Sequence, residues 1–325
     1  MLKDEGFKSE SIAIETRDLS KRYSKGVLAV DGLSLRVLKG EVLGFLGPNG
    51  AGKTTSIKMM VGLLKPTSGQ VLIEGERIEA ASRRIKKSIG VCPQDIVVWT
   101  RLTCMENLLV MADMYEVPRN VAVKRAEKLL DDLKLTDKRD ALAASLSGGM
   151  KRRLNVVMAL IHDPEIVVLD EPTAGLDPQS RLVVTEYIRG LKETKKLTVI
   201  LTTHEMEIAD QLSDRVAIID HGKLLVLDTP ENLKDRVGKG DIMEITLYDE
   251  VKNKRAREAL EGMEGIQEVN EIRGRIVVRA LDAASKFPKI FSLLENIGVK
   301  VSDVSLRRNS LEDVFITLTG RGLRE

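Results

Sequence analysis

Cysteine is almost absent from this 325-residue chain: Cys92 and Cys104 are the only two. Their spacing fits no metal-ligand pattern, so the plain expectation is a pair of reduced thiols. Long apolar runs are missing as well. No stretch approaches the roughly 18 uninterrupted apolar residues of a spanning helix, which leaves any membrane span to another polypeptide. Residues 1–10 are charged and lack an apolar core, so no secretory leader is expected there. Charge of one sign is scarce too. With 51 Lys+Arg against 49 Asp+Glu the formal net charge is +2, too little for the electrostatic footprint of a nucleic-acid binder. What remains is an ordinary globular composition, 43% hydrophobic and 31% charged, at a length that suggests two domains.

Against that background the run Gly47-Pro-Asn-Gly-Ala-Gly-Lys-Thr-Thr55 stands out. It reads GxxxxGK[ST] and follows an apolar, strand-like run, Val42 to Leu46. Glycines at Gly47, Gly50 and Gly52 let the backbone reach φ > 0, so several N–H groups can turn onto one anion. Lys53 supplies a point charge for β- and γ-phosphates, and the Thr54 hydroxyl can ligate Mg²⁺. Residues Ser56 to Leu64 are expected to form a helix whose N-terminus faces the phosphates. At Glu165-Ile-Val-Val-Leu-Asp-Glu171 a second apolar strand ends in two carboxylates. That is the other half of a P-loop site: Asp170 orients Mg²⁺ through water, and Glu171 can polarise a water for attack on the γ-phosphate. Leu146-Ser-Gly-Gly-Met150 then opens the helical run Lys151 to Ile161, where free N–H groups, a hydroxyl and a positive dipole end await an anion.

The ordered set resembles the ATP-binding cassette (ABC) family, whose signature LSGGQ falls at Leu146 to Met150. Tyr23 sits where an aromatic stacks on adenine, Gln94 in "GVCPQD" matches the Q-loop, "AGLD" carries Asp177 and "TTHE" carries His204. The resemblance spans roughly Ile12 to Asn232. It implies an ATPase with ATP and Mg²⁺ as cofactors: Gly47, Asn49, Gly50, Gly52, Lys53, Thr54 and Thr55 hold phosphates and metal, with Gln94 and Asp170 also toward Mg²⁺. Glu171 is the implied general base, and His204 contacts the γ-phosphate. His162 and His221 have no such context. The signature ends in Met150 where the family usually has Gln, and a thioether replaces that hydrogen-bonding side chain poorly.

The resemblance also implies an assembly. Ser147, Gly148 and Gly149 of one cassette face the P-loop of another, so one P-loop and one signature make only half of each site. A head-to-tail homodimer is the simplest solution, with a different paired cassette as the other. An integral-membrane permease is the implied partner, which would hold the chain at the cytoplasmic face of the cell membrane. A cassette ATPase acting on nucleic acid or ribosomes is the alternative class. It usually brings paired cassettes, a long coiled-coil insertion or a basic surface, none of which is present, so no nucleic acid is expected.

The fold class expected is α/β, in two domains, 1–237 and 241–325. In the first, Ile12–Arg22, Leu28–Leu38 and Gln70–Ile78 read as an antiparallel β subdomain. Apolar spacings of three and four from Thr103 to Asp163 read as a helical subdomain. Alternating strands and helices from Ile166 to Leu227 complete a mostly parallel P-loop sheet. Met111, Met114 and Met158 are expected as core filler. The basic runs Arg83–Lys87 and Lys151–Arg153 are expected on solvated helix faces. After Gly238 and Gly240 a βαββαβ order suggests a ferredoxin-like accessory domain with balanced charge, regulatory or dimer-stabilising. Its ending "NSLEDVFITLTG" resembles the tail of cassette subunits from drug, antibiotic and sodium-type exporters, which favours export.

Overall fold

The computed structural model describes residues 11–24, 26–194, 196–238, 240–272, 274–281 and 283–320. The chain divides into two compact units, one running through Pro230 and one from Glu231. Helix Pro230–Arg236 therefore groups with the second unit, ahead of the glycines that mark the change of pattern in the sequence.

The first unit is built on a six-stranded sheet. Its order is Lys223–Asp228, Arg215–Asp220, Val42–Leu46, Thr198–Thr203, Ile166–Asp170, Ile89–Cys92. All neighbours are parallel except the first two, which form an antiparallel hairpin. Strands Val42–Leu46, Ile166–Asp170 and Thr198–Thr203 are buried along their whole length, as strands covered on both faces must be, and hence they read as near-continuous apolar runs. Leu46 pairs with Thr203 and Asp170 with Thr202, so three separate segments of sequence end at the same sheet edge. A second, antiparallel sheet has the order Leu28–Leu38, Ile12–Arg22, Ser68–Ile73, Glu76–Arg77. The continuous strand expected over Gln70–Ile78 is instead a hairpin, because Glu74 and Gly75 both take positive φ, 48° and 83°, as a two-residue turn of the primed type requires. The helix expected from Ser56 runs from Lys53 to Met60. It begins where Gly52 ends a left-handed cap and stops short of Leu64 because Gly62 turns to φ 75°.

Helices Cys104–Met114, Arg119–Asp132 and Gly148–Met158 form the helical part, around one apolar cluster that continues into the six-stranded sheet. Thr103 and Glu106 close a capping box at the first of them. Met158 is buried and Met111 packs at the margin of that cluster, but Met114 is 63% exposed and fills no core. The basic runs also divide. Arg83 and Lys87 pair with Glu116, and Arg84 pairs with Glu74, on the surface as expected. Arg152 and Arg153 are buried instead, since their guanidinium groups find main-chain carbonyls inside the fold.

In the second unit an antiparallel sheet has the order Ile266–Ile272, Arg275–Ala280, Asp241–Leu247, Val301–Arg307. Met243, Ile245 and Leu247 alternate onto one face and join Ala256 and Leu260 of helix Asn253–Glu261 and Ile290 and Leu294 of helix Ala283–Asn296 in one core. This is the ferredoxin-like order. A further helix, Leu311–Thr319, lies within the "NSLEDVFITLTG" segment, opened by a Ser310–Asp313 capping box and holding Phe315 fully buried. Arg307 ties that cap to the sheet, with two hydrogen bonds to Asp313 and one to Glu244 at 2.8 Å.

His162 follows the helix Gly148–Met158 and stacks on Tyr115, ring centroids 3.7 Å apart at 10°. Its Nε2 lies 3.3 Å from the Ile89 carbonyl, a contact a neutral imidazole can make by donating. Burial first, then Arg125, pushes its pKa down to about 4, against opposing pulls from that carbonyl and from Asp163. The unfolded chain takes up the proton near the usual value of about 6.5, so the native state holds fewer protons between those limits. Stability is full above the unfolded value and is lost as pH falls toward 4. Between pH 7 and pH 5 urea unfolding should show a loss of about 1 kcal/mol from this group, discounted for its partial exposure. His162→Phe, which keeps the ring stack, should remove that part of the slope; an unchanged slope would exclude His162 as its source.

Candidate active site

The loop from Gly47 to Thr55 leaves strand Val42–Leu46 and enters helix Lys53–Met60. Two of its glycines are sterically required. A Cβ on Gly47 would sit 2.2 Å from the Ile219 carbonyl oxygen, and one on Gly52, at φ 100°, 2.4 Å from that of Ala29. Lys53 is buried, and its ammonium donates to the carbonyls of Gly47 at 2.7 Å and Pro48 at 3.1 Å. It also lies 3.5 Å from Glu171 Oε1. Burial holds its pKa below the usual lysine range, with Glu171 and Asp170 pulling the other way. Asn49 and Gly50 are exposed at the tip of the loop. Tyr23 is exposed at its edge, with its hydroxyl 3.4 Å from Thr55 Oγ1 and the Lys21 ammonium 5.6 Å from its ring centroid.

Asp170 and Glu171 emerge from the neighbouring parallel strand and are 3% and 6% exposed. Two adjacent carboxylates so deeply buried need partners, and the sheet edge supplies them. Thr202 donates to Asp170 Oδ1 at 2.5 Å and accepts from the Glu171 amide at 2.8 Å. Thr54 donates to the same Asp170 oxygen at 3.4 Å. Gln94 Nε2 and His204 Nδ1 approach the two oxygens of Glu171 at 3.5 and 3.2 Å. Glu171 itself is held at φ 48°, a strained value for a non-glycine residue. Lys53, Thr54, Gln94, Asp170, Glu171 and His204, drawn from four stretches of sequence, thus form one connected group. A hydroxyl and a carboxylate, Thr54 and Asp170, are the oxygen donors that suit Mg²⁺, which fills its remaining positions with water and phosphate. Among the described residues no cluster of three or more His, Cys, Asp or Glu offers an all-protein metal cage.

Ser147 caps helix Gly148–Met158, its hydroxyl accepting from the Met150 amide at 3.2 Å. Gly149 lies against the next helix: a Cβ there would be 2.4 Å from Ser180 Oγ and 2.9 Å from Asp177 Oδ2. Asp177 in turn accepts from the Ser180 amide at 2.9 Å and caps Pro178–Thr194. Met150 is half-buried and packs on the apolar cluster of the helical part, so the thioether fills space where a glutamine would hydrogen-bond. Among the described residues, no hydrogen bond or ion pair joins Ser147, Gly148, Gly149 or Asp177 to the loop Gly47–Thr55. His221 is an exposed loop residue beside Asp220.

Two residues of this region escape sequence reasoning. Arg152 sends its guanidinium to carbonyls on both sides of Gln94 and Glu171; the only trace in the sequence is one basic residue within the run Lys151–Arg153. Thr202 looks like any β-branched strand residue, yet its hydroxyl serves the Asp170 carboxylate and the Glu171 amide. Thr202→Val leaves a buried carboxylate and a buried amide short of a partner, and should cost about 1–3 kcal/mol in urea unfolding. Thr202→Ser, which keeps the hydroxyl, should stay within about 1 kcal/mol of the parent. A loss in Thr202→Ser as large as that in Thr202→Val would show that the hydroxyl does not carry the effect.

Residues 30–174 match the family described as "ABC transporter", and residues 229–319 match "ATP-binding protein DrrA1-3-like, C-terminal domain". Among curated relatives, the linearmycin resistance ATP-binding protein LnrL of Bacillus subtilis (strain 168) is 35% identical over 96% of this chain and 100% of that protein. The daunorubicin/doxorubicin resistance ATP-binding protein DrrA of Streptomyces peucetius is 37% identical over 95% of this chain and 92% of its own length. A Nod factor export ATP-binding protein I, from Burkholderia pseudomallei (strain 1710b), is 38% identical over 95% and 97%. Among solved structures, an ATP-binding subunit of an ABC transporter superposes with a TM-score of 0.63 at 28% identity, covering 69% of this chain and 92% of that one. The dimeric, post-hydrolysis ATP-binding cassette MJ0796 bound to ADP and Pi gives a TM-score of 0.61 at 25% identity, covering 66% of this chain and 98% of that one. With that core, that sheet edge and relatives matched along nearly its whole length, the chain belongs to the ABC transporter family as an ATP-binding subunit, an ATPase.

Proposed function

We propose that this subunit powers an ABC exporter by closing head to tail on a second cassette around two ATP molecules and reopening on hydrolysis. The observation that carries the reading is that, among the described residues, no hydrogen bond or ion pair joins Ser147–Gly149 to the loop Gly47–Thr55, while each stands at a helix start of its own. Two half-sites that share no contact within one chain are used together when two cassettes meet. A second copy of this chain is the simplest partner. Export is supported by the names of the relatives, two of them resistance proteins and one an export protein. No helix among the described residues is long and apolar enough to cross a membrane, so a separate permease carries the cargo, and the subunit works at the membrane through it. The tail unit from Glu231 is an accessory domain of the DrrA-like type.

Within each half-site the residues take distinct parts. The loop amides and Lys53 bind phosphate oxygens, and Tyr23 offers its exposed face to the base. Thr54 and Asp170, with Gln94 nearby, are the groups that would hold Mg²⁺, whose charge stabilises the phosphates when bound. Glu171 accepts the proton of the attacking water, aimed by Gln94, while His204, 3.2 Å from it, contacts the γ-phosphate side. Ser147, Gly148, Gly149 and Asp177 serve the nucleotide held by the other cassette.

Lys53→Ala removes the charge that answers the phosphates and should weaken ATP binding at least about 10²-fold, roughly the loss of one charge-assisted contact at a buried site; unchanged affinity by equilibrium dialysis would refute the role. Glu171→Gln should keep ATP binding and stall hydrolysis. In size-exclusion chromatography with light scattering it should shift from monomer to dimer on addition of ATP and Mg²⁺. A variant that binds ATP yet stays monomeric would overturn the two-cassette reading.

A further inference from the structure

Arg152 stands in the second turn of helix Gly148–Met158, five residues after the capping Ser147. Its side chain is 2% exposed, and every donor of the guanidinium ends on the main chain. Nε donates to Pro172 O at 3.2 Å, Nη1 to Pro93 O and Gln94 O at 2.8 Å each, and Nη2 to Asp170 O at 2.8 Å and to Glu171 O. One cation therefore gathers two carbonyls of the loop that carries Gln94 and three consecutive carbonyls around Glu171. Three successive carbonyls aimed at one point repel each other, and Glu171 is at φ 48°; a positive charge at their focus is what makes that conformation tenable. Since the backbone direction at Glu171 sets where its carboxylate points, Arg152 aims the carboxylate without touching the reacting atoms.

One turn further on, Asn155 holds the same loop. Its Nδ2 donates to Cys92 Sγ at 3.2 Å, and its Oδ1 accepts from the Val97 amide at 3.2 Å. The helix that begins with the signature is thus fastened by Arg152 to both hydrolytic segments and by Asn155 to one of them. We propose that Arg152 is a positioning residue that makes hydrolysis at a chain's own ATP depend on how its signature helix is seated on the other ATP. The proposal rests on the head-to-tail reading above, in which Ser147–Gly149 serve the nucleotide of the partner cassette while Gln94 and Glu171 serve their own. A movement of this helix on engaging the partner's phosphates shifts all five carbonyls together, a direct coupling of one site to the other. The planar five-donor fork is specific to arginine; lysine brings three donors at one point and cannot span both segments.

The test is ATPase rate against ATP concentration for the full-length chain, with ATP affinity measured separately, for the parent and Arg152→Lys. The parent should show a Hill coefficient between about 1 and 2, as two coupled sites give. Arg152→Lys should bind ATP within about threefold of the parent, lose about 10²-fold in kcat, as a misplaced catalytic group does, and fall to a Hill coefficient of about 1. Retention of the parental kcat and Hill coefficient would overturn the proposal. So would loss of ATP binding together with a markedly lower Tm, which would make Arg152 a structural residue only. A parent that itself shows no cooperativity, with Glu171→Gln staying monomeric in ATP, would instead remove the two-cassette reading, and the coupling with it.

Discussion

Burying Asp170 and Glu171 side by side is the constraint around which the first unit is organised. Two carboxylates at 3% and 6% exposure are costly to desolvate, and each oxygen left without a donor would be a heavy loss. Thr202 and Thr54 meet Asp170, while Lys53, Gln94 and His204 meet Glu171. These donors come from a helix start, a loop and a strand end, each following a strand of the parallel sheet, which brings them to a common edge. The need to satisfy the carboxylates and the need to assemble a hydrolytic site are therefore met by the same contacts.

The same contacts explain why the site is sensitive to its surroundings. Lys53 has its ammonium on carbonyls of its own loop and beside Glu171, so in the proposed role binding phosphate would exchange one set of favourable contacts for another. Glu171 is held in a left-handed conformation by its environment. A group under that kind of external constraint responds to small displacements of whatever constrains it, here the Thr202 hydroxyl and the Arg152 guanidinium. Motion of packed helices is then readable as chemistry at the carboxylate, which is the requirement for an ATPase whose output is mechanical.

The second unit obeys simpler rules. A ferredoxin-like order with one alternating apolar face under two helices needs no catalytic group, and among the described residues it holds no metal cluster. Its final helix is fixed by a Ser310–Asp313 capping box and by Arg307. The capping pattern Ser-Leu-Glu-Asp stands in the sequence, but the segment's resemblance to exporter tails does not by itself specify a helix. The exposure of Met114 and the hairpin at Glu74–Gly75 were hidden for a different reason. Periodicity does not say which side of a helix end faces water, and a Glu-Gly pair is a turn only if both residues take positive φ.

By itself the sequence determined the order of motifs, and with them the P-loop, the paired carboxylates, the signature cap and the β- and α-rich stretches. These are local: glycine's conformational freedom, a hydroxyl at a helix start and apolar periodicity act over a few residues and leave a mark in the letters. Only the tertiary structure decided that Arg152 turns inward to five carbonyls, that Thr202 bridges Asp170 and Glu171, and that His162 stacks neutral on Tyr115. Those outcomes depend on backbone carbonyls and buried neighbours, Pro93 and Pro172 among them, that stand far apart in the chain. Every residue carries a carbonyl, so nothing in the identity of the letters marks the ones that a distant guanidinium will meet.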